Sequence, residues 1–155
     1  MTKSLLIEYL PDTESDFPIP KYQTSGASGL DIRAYLPKAD QGLGSTLLPG
    51  ERQLVSSGFK IEIPSGFEGQ IRPRSGLAYK HGITVLNSPG TIDSDYRGDI
   101  SVIIINLSKK DYTISPGDRI AQIVISSYEK VNWELKNELS DSSRGDKGFG
   151  STGDQ

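Results

Sequence analysis

The stretch NSPGTIDSDYRGD, residues 87–99, gathers an amide, three acids, a phenol and a guanidinium into thirteen positions. Asn87, Pro89 and Gly90 read as a turn, and a short extended run then carries Asp93 and Asp95 around Ser94. Residues two apart on a strand share a face, so both carboxylates are expected to line one site. A carboxylate beside a water it can deprotonate is a general base. Tyr96 adds a flat ring that could pack under a sugar. The alternative for the same residues is a hairpin with two solvated aspartates.

Other segments offer chemistry of a matching kind. IRPRSGLAYKHG, residues 71–82, places Arg74, Ser75 and Gly76 where a strand gives way to one or two helical turns. Backbone N–H groups at such a start, with a hydroxyl and a guanidinium, suit phosphate oxygens, although a capped turn with surface arginines reads the same. SPGDRIAQIVI, residues 115–125, puts Asp118 and Arg119 at the mouth of a strand and Gln122 inside an apolar run. A buried amide must find partners, in a neighbouring backbone or in a ligand. In GASGLDIRA, residues 26–34, Asp31 is the sole acid, and Arg33 or Arg52 is its expected partner. RGDKGFGSTG, residues 144–153, is too rich in glycine to build a core, yet carries Arg144, Phe149, Ser151 and Thr152.

Composition narrows what these groups can do. With no cysteine among 155 residues, thiolate nucleophiles, disulfides and cysteine-based zinc sites are excluded. His81 is the single histidine and no GxSxG accompanies it, so neither a His-rich metal site nor a serine-hydrolase arrangement is expected. A net charge of −3 without a basic stripe argues against nucleic acid as a partner, while small phosphate ligands fit. There is no membrane-length apolar run and no secretory h-region, so a soluble, cytoplasmic protein is expected. RGD occurs at 97–99 and 144–146, but without a secretion signal it is not read as an adhesion ligand.

The elements that must hold these residues are strands. SLLIEYL, GLDIRAYL, GFKIEIP, GITVLN, DISVIIINL, DYTISPG and RIAQIVISSY are short β-rich runs, many of them separated by LPGE, IPSG, NSPG or SPGD turns. No long 3.6-residue period appears, so the fold class is all-β: a sandwich, jelly roll or distorted barrel. Residues 100–107 and 120–125 are apolar on both faces, where a one-core sandwich strand would keep one face wet. A subunit interface is the simplest cover, and the chain's own loops are the alternative. Residues 36–50 read as a loop without assignable chemistry. The expected organisation is a β domain over 1–136 and a flexible polar arm over 137–155.

Taken in order, ASGLDIRA, RPRSGLA, GTIDSDYRGDISV, GDRIAQIVI and RGDKGFGSTG resemble the five signature motifs of trimeric deoxyuridine triphosphatases, spanning residues 27–153. The resemblance implies a distorted jelly-roll subunit in a homotrimer with shared active sites, hydrolysing dUTP to dUMP and pyrophosphate with Mg²⁺. It implies that Asp93 activates water for attack on the α-phosphorus. Asn87 and the backbone of Gly90, Thr91 and Ile92, with Ser101 facing them, would read the uracil edge, and Tyr96 would pack beneath the deoxyribose. Arg74, Ser75 and Gly76 would hold phosphates, Gln122 would lie near the α-phosphate, and Asp31 would reach Mg²⁺ through water. The glycine-rich tail would be a lid, Phe149 stacking on uracil while Arg144, Gly150, Ser151 and Thr152 engage the γ-phosphate. Departures are slight: Ser28 stands where alanine is frequent, and Asp146-Lys147 fills a variable spacer. A dCTP deaminase of the same fold is the nearest alternative, but Ile103 stands where its glutamate would fall. A non-catalytic trimeric nucleotide-binding regulator is the other.

Overall fold

β-Branched runs broken by glycine and proline turns produce, in this computed structural model, eleven strands and one short helix among the described residues, which are 4–38, 40, 42–146 and 148. In chain order they are β1 (Leu6–Tyr9), β2 (Leu30–Arg33), β3 (Ser45–Leu47), β4 (Arg52–Ser56), β5 (Phe59–Glu62), β6 (Phe67–Arg72), α1 (Ser75–His81), β7 (Ile83–Val85), β8 (Gly90–Ile92), β9 (Ser101–Asn106), β10 (Tyr112–Ile114) and β11 (Arg119–Ser127). Every pairing is antiparallel. One sheet runs β2-β11-β6-β8 and a second β4-β9-β7, with the pairs β1-β5 and β10-β3 beside them. This is the expected all-β jelly-roll class.

The core is one cluster of inward side chains, including Ile32, Ile71, Ala121 and Ile123 from the first sheet and Val55, Ile83, Val85, Val102 and Ile104 from the second. Asn106 is fully buried at the end of β9 and fully partnered. Its Nδ2 donates to the carbonyls of Leu47 (2.9 Å) and Lys110 (2.8 Å), and its Oδ1 accepts from the Ser108 amide (2.9 Å). A buried amide so satisfied pins β9 to β3 and shapes the turn that follows.

Two expectations change. The 36–50 segment is not all loop, because Ser45–Leu47 forms β3 against β10. Strand β8 stops at Ile92, and the Tyr96 amide closes a turn onto the Asp93 carbonyl at 3.2 Å. Asp93 and Asp95 therefore sit on a turn rather than two apart on a strand. The alternative cover for 100–107 falls short, because the chain's own loops leave the outer face of β9 incompletely covered. Ile103 and Ile105 are half-buried there, while Leu54, the cross-strand neighbour of Ile103, is 65% exposed. No regular element follows Ser127 among the described residues, and all of 129–146 is exposed.

Candidate functional site

The first sheet assembles a charged cluster from residues far apart in sequence. The register of β2 on β11 sets Asp31 opposite Gln122, and that of β11 on β6 sets Gln122 opposite Arg72. Asp31 receives Arg74 Nε on one oxygen at 3.3 Å and Arg119 NH1 on the other at 3.1 Å. Its partners are thus Arg74 and Arg119, not Arg33 or Arg52. Arg33 instead donates to the Gly117 carbonyl at 2.6 Å. Arg74 NH1 also donates to the Arg119 carbonyl at 2.8 Å, locking the two guanidinium-bearing segments together. The sequence places Arg119 at the mouth of a strand but gives it no ligand role, because its partner Asp31 lies far away in the chain.

Local backbone geometry holds this cluster in place. Gly117 adopts φ 79°, a left-handed conformation that suits glycine, in a turn whose Ser115 amide donates to Asp118 Oδ2 at 2.8 Å. Gly117 N donates to Ala34 O, and Ala34 N to Asp118 O, both at 2.8 Å, so the turn is riveted to the end of β2. Gln122 is half-buried, and its Nε2 donates to the Pro73 carbonyl at 3.1 Å. A Cβ at Gly29 would lie 2.3 Å from Gln122 Oε1, so only glycine leaves room for that amide. Arg74 has extended backbone (φ −95°, ψ 124°) and precedes α1, whose first residues are the exposed Ser75 and Gly76.

Tyr112, half-buried on β10, lies within electrostatic range of this cluster. Burial, then the charge of Asp118, raises its phenol above the usual tyrosine value, with Arg74 acting in the opposite sense. The neutral phenol is favoured by the fold, so this stability is complete below about pH 10, the unfolded value, and is lost as pH rises through the folded one. In Tyr112→Phe that alkaline loss disappears. Urea midpoints of both chains between pH 9 and 11.5 should show a difference that changes only above about pH 10, and a constant gap would remove the phenol as its source.

The other chemistry-bearing residues lie around β8 and the start of β9. Asn87 Nδ2 is 3.0 Å from where a Cβ would stand on Gly90, so the amide sits directly against the bare backbone of β8. Tyr96 folds over Gly98 and donates its hydroxyl to the Asp99 carbonyl at 3.1 Å, while Ser101 Oγ donates to Asp99 Oδ2 at 2.6 Å. Asp93 is exposed and lines an open cleft with Glu68, Ser94, Asp95, Tyr128 and Lys130. Arg144 lies in an exposed turn closed by the Gly145 amide on the Ser142 carbonyl and hydroxyl, each at 3.1 Å. Phe149, Gly150, Ser151 and Thr152 lie outside the described residues.

Asp31, Arg74 and Gln122 are therefore together, but Asp93 is not with them. Arg72, at the cluster, and Glu68, at the Asp93 cleft, are four residues apart on β6, which at about 3.3 Å per residue puts the two sites roughly 13 Å apart. The donor set also bears on metal binding. Among the described residues no three His, Cys, Asp or Glu side chains group to hold an ion, and both oxygens of Asp31 are occupied by arginine. That suits an ion carried by phosphate and water, met by Asp31 through water, and does not suit a direct protein cage.

The family model of the dUTPases matches residues 15–153. A deoxyuridine 5′-triphosphate nucleotidohydrolase of Rhizobium meliloti (strain 1021) is 50% identical over 153 residues, covering 99% of this chain and 93% of the relative. One of the same description from Cytophaga hutchinsonii is 55% identical over 140 residues, covering 90% and 88%. Among solved structures, the Staphylococcus bacteriophage 80alpha dUTPase with dUPNHPP superposes with a TM-score of 0.83 at 25% identity, covering 98% of this chain and 99% of that one.

Proposed function

The chain belongs to the dUTPase family and is a dUTP diphosphatase, and we propose that its active sites are shared between copies in a homotrimer. The observation that carries this is the separation of roughly 13 Å, along β6, between the Asp93 cleft and the Asp31–Arg74–Arg119–Gln122 cluster. A general base must come within hydrogen-bond reach, or one water, of the proton it removes. Such a span favours a site in which one copy supplies Asp93 and another supplies the arginines. The incompletely covered face around Leu54 and Ile103 supports such an assembly.

In this reading Asp93 takes the proton of a water attacking the α-phosphorus. The P–O bond to the β-phosphate breaks, and pyrophosphate leaves with its electron pair. Arg74, Ser75 and Gly76 of another copy hold the phosphate oxygens, with Gln122 near the α-phosphate. A Mg²⁺ ion brought by the triphosphate would supply neutralising positive charge, and Asp31 is the carboxylate that would hold one of its waters. Asn87 and the backbone of Gly90, Thr91 and Ile92, with Ser101, read the uracil edge in a pocket without space for a thymine methyl. Tyr96 lies beneath the deoxyribose and leaves no room for a 2′-hydroxyl. A third copy contributes the tail of residues 137–155 as a lid: Arg144, Gly150, Ser151 and Thr152 on the γ-phosphate, and Phe149 on the base. The reaction, placed in the cytoplasm, keeps uracil out of DNA and supplies dUMP for thymidylate synthesis.

The test is pyrophosphate release with Mg²⁺ from dUTP, dTTP, dCTP and UTP in parallel. Rapid release from dUTP alone supports reaction, base and sugar together. Ammonia from dCTP would mean deaminase chemistry, and silence with all four from a folded trimer would leave a binding protein.

A further inference from the structure

The phosphate cluster has a neighbour that no motif role covers: Arg72. The geometry points to Arg72 as a further guanidinium of the triphosphate grip, aimed by Gln70; this rests on the proposed site. Asp31, Gln122 and Arg72 are successive cross-strand partners on β2, β11 and β6, so their side chains stand in one row on one face of the sheet. Arg74 follows two residues later in extended backbone, which turns it to the same side as Arg72. Arg74 and Arg119 meet Asp31 and Arg72 stands on the same face, so three guanidinium groups face the two carboxylates Asp31 and Glu68, an excess of positive charge suited to a polyanion.

Arg72 is held in a set direction while remaining exposed. Its Nε donates to Gln70 Oε1 at 3.1 Å, and its NH2 donates to the same oxygen. Gln70 Nε2 in turn donates to Glu68 Oε1 at 2.7 Å, so the carboxylate fixes which end of the amide meets the arginine. These contacts use two of the five guanidinium N–H groups and leave three for an oxygen ligand. Pyrophosphate oxygens, alone or as part of the nucleotide, match what is left.

The test compares wild type, Arg72→Gln, Arg72→Lys and Gln70→Leu, each first checked for subunit mass. Steady-state dUTP kinetics are read beside inhibition constants for pyrophosphate and for dUMP. Arg72→Gln is expected to raise KM for dUTP and Ki for pyrophosphate about tenfold or more, with kcat and dUMP inhibition nearly unchanged. Arg72→Lys recovers part of the loss, and Gln70→Leu shows a smaller shift of the same pattern. Unchanged pyrophosphate affinity in an intact Arg72→Gln assembly overturns the inference. So does loss of assembly in both Arg72 variants, which would make the residue an interface strut. Absence of dUTP turnover in wild type would count against the proposed function instead, and direct pyrophosphate binding by calorimetry would then decide the role of Arg72.

Discussion

Asp93→Asn lowers kcat for dUTP about 10²–10⁴-fold while nucleotide still binds. The substitution is nearly isosteric but replaces a charged carboxylate with a neutral amide, which cannot take the proton of water. Among the described residues the Asp93 carboxylate has no hydrogen bond or ion pair of its own, and its backbone carbonyl, which closes the turn on Tyr96, is retained. Thermal midpoint and subunit mass should therefore match wild type. Titration with a non-hydrolysable α,β-imido analogue of dUTP should give an affinity within a few-fold of wild type. Asp95 is the natural control, since it lines the same cleft but lies further into the turn. Asp95→Asn is expected to cost much less than Asp93→Asn. If the two losses were reversed, or if Asp93→Asn turned over normally, water activation would have to be assigned elsewhere.

Local chemistry was legible in the sequence where a short segment supplies both the residue and its setting. The turn signals and β-branched runs yield most strands, and the double apolar pattern of 100–107 identifies a face that the single chain leaves partly open. What depends on strand register was not legible. Asp31 lies 88 positions from Arg119, and only the pairing of β2 with β11 makes them partners. Neighbouring arginines looked like better candidates, yet Arg33 turns to the Gly117 carbonyl. Strand β6 shows in the sequence only at its end, before Arg74, because Gly69 occupies an inward position where alternation would show an apolar side chain. A Cβ there would come within 2.9 Å of Ile123 Cδ1, so the core itself demands the glycine that hides the pattern. Asp93 and Asp95 do line one cleft, but they sit on a turn and not on a strand, because Asp and Ser also favour turns and here local turn geometry ends the strand at Ile92.

A chain ending at Ser143 folds and assembles as the full chain does, but loses about 10²–10³-fold in kcat/KM for dUTP. The two halves of this prediction rest on different physics. Every residue from Glu129 to Asp146 is exposed, so removing the end of that stretch opens no core and uncovers little apolar surface. The urea midpoint and the subunit mass by light scattering are expected to stay in place. In the proposed site catalysis would, by contrast, rely on donors that reach the phosphates only when the tail closes. There Arg144 would supply a guanidinium, the glycines would allow close approach of backbone amides, and Phe149 would cover the base. Losing these together removes more than a single donor would, while the paired arginines on Asp31 still hold substrate. The defect should appear in kcat as well as KM, because a cover that forms only around bound nucleotide acts after binding. Phe149→Ala in the full-length chain separates the roles, costing less than the truncation, and Phe149→Trp should recover the stack and report closure through its fluorescence. A truncated chain that failed to fold or assemble would show that the tail is structural, and one that kept full activity would show that the site needs no lid.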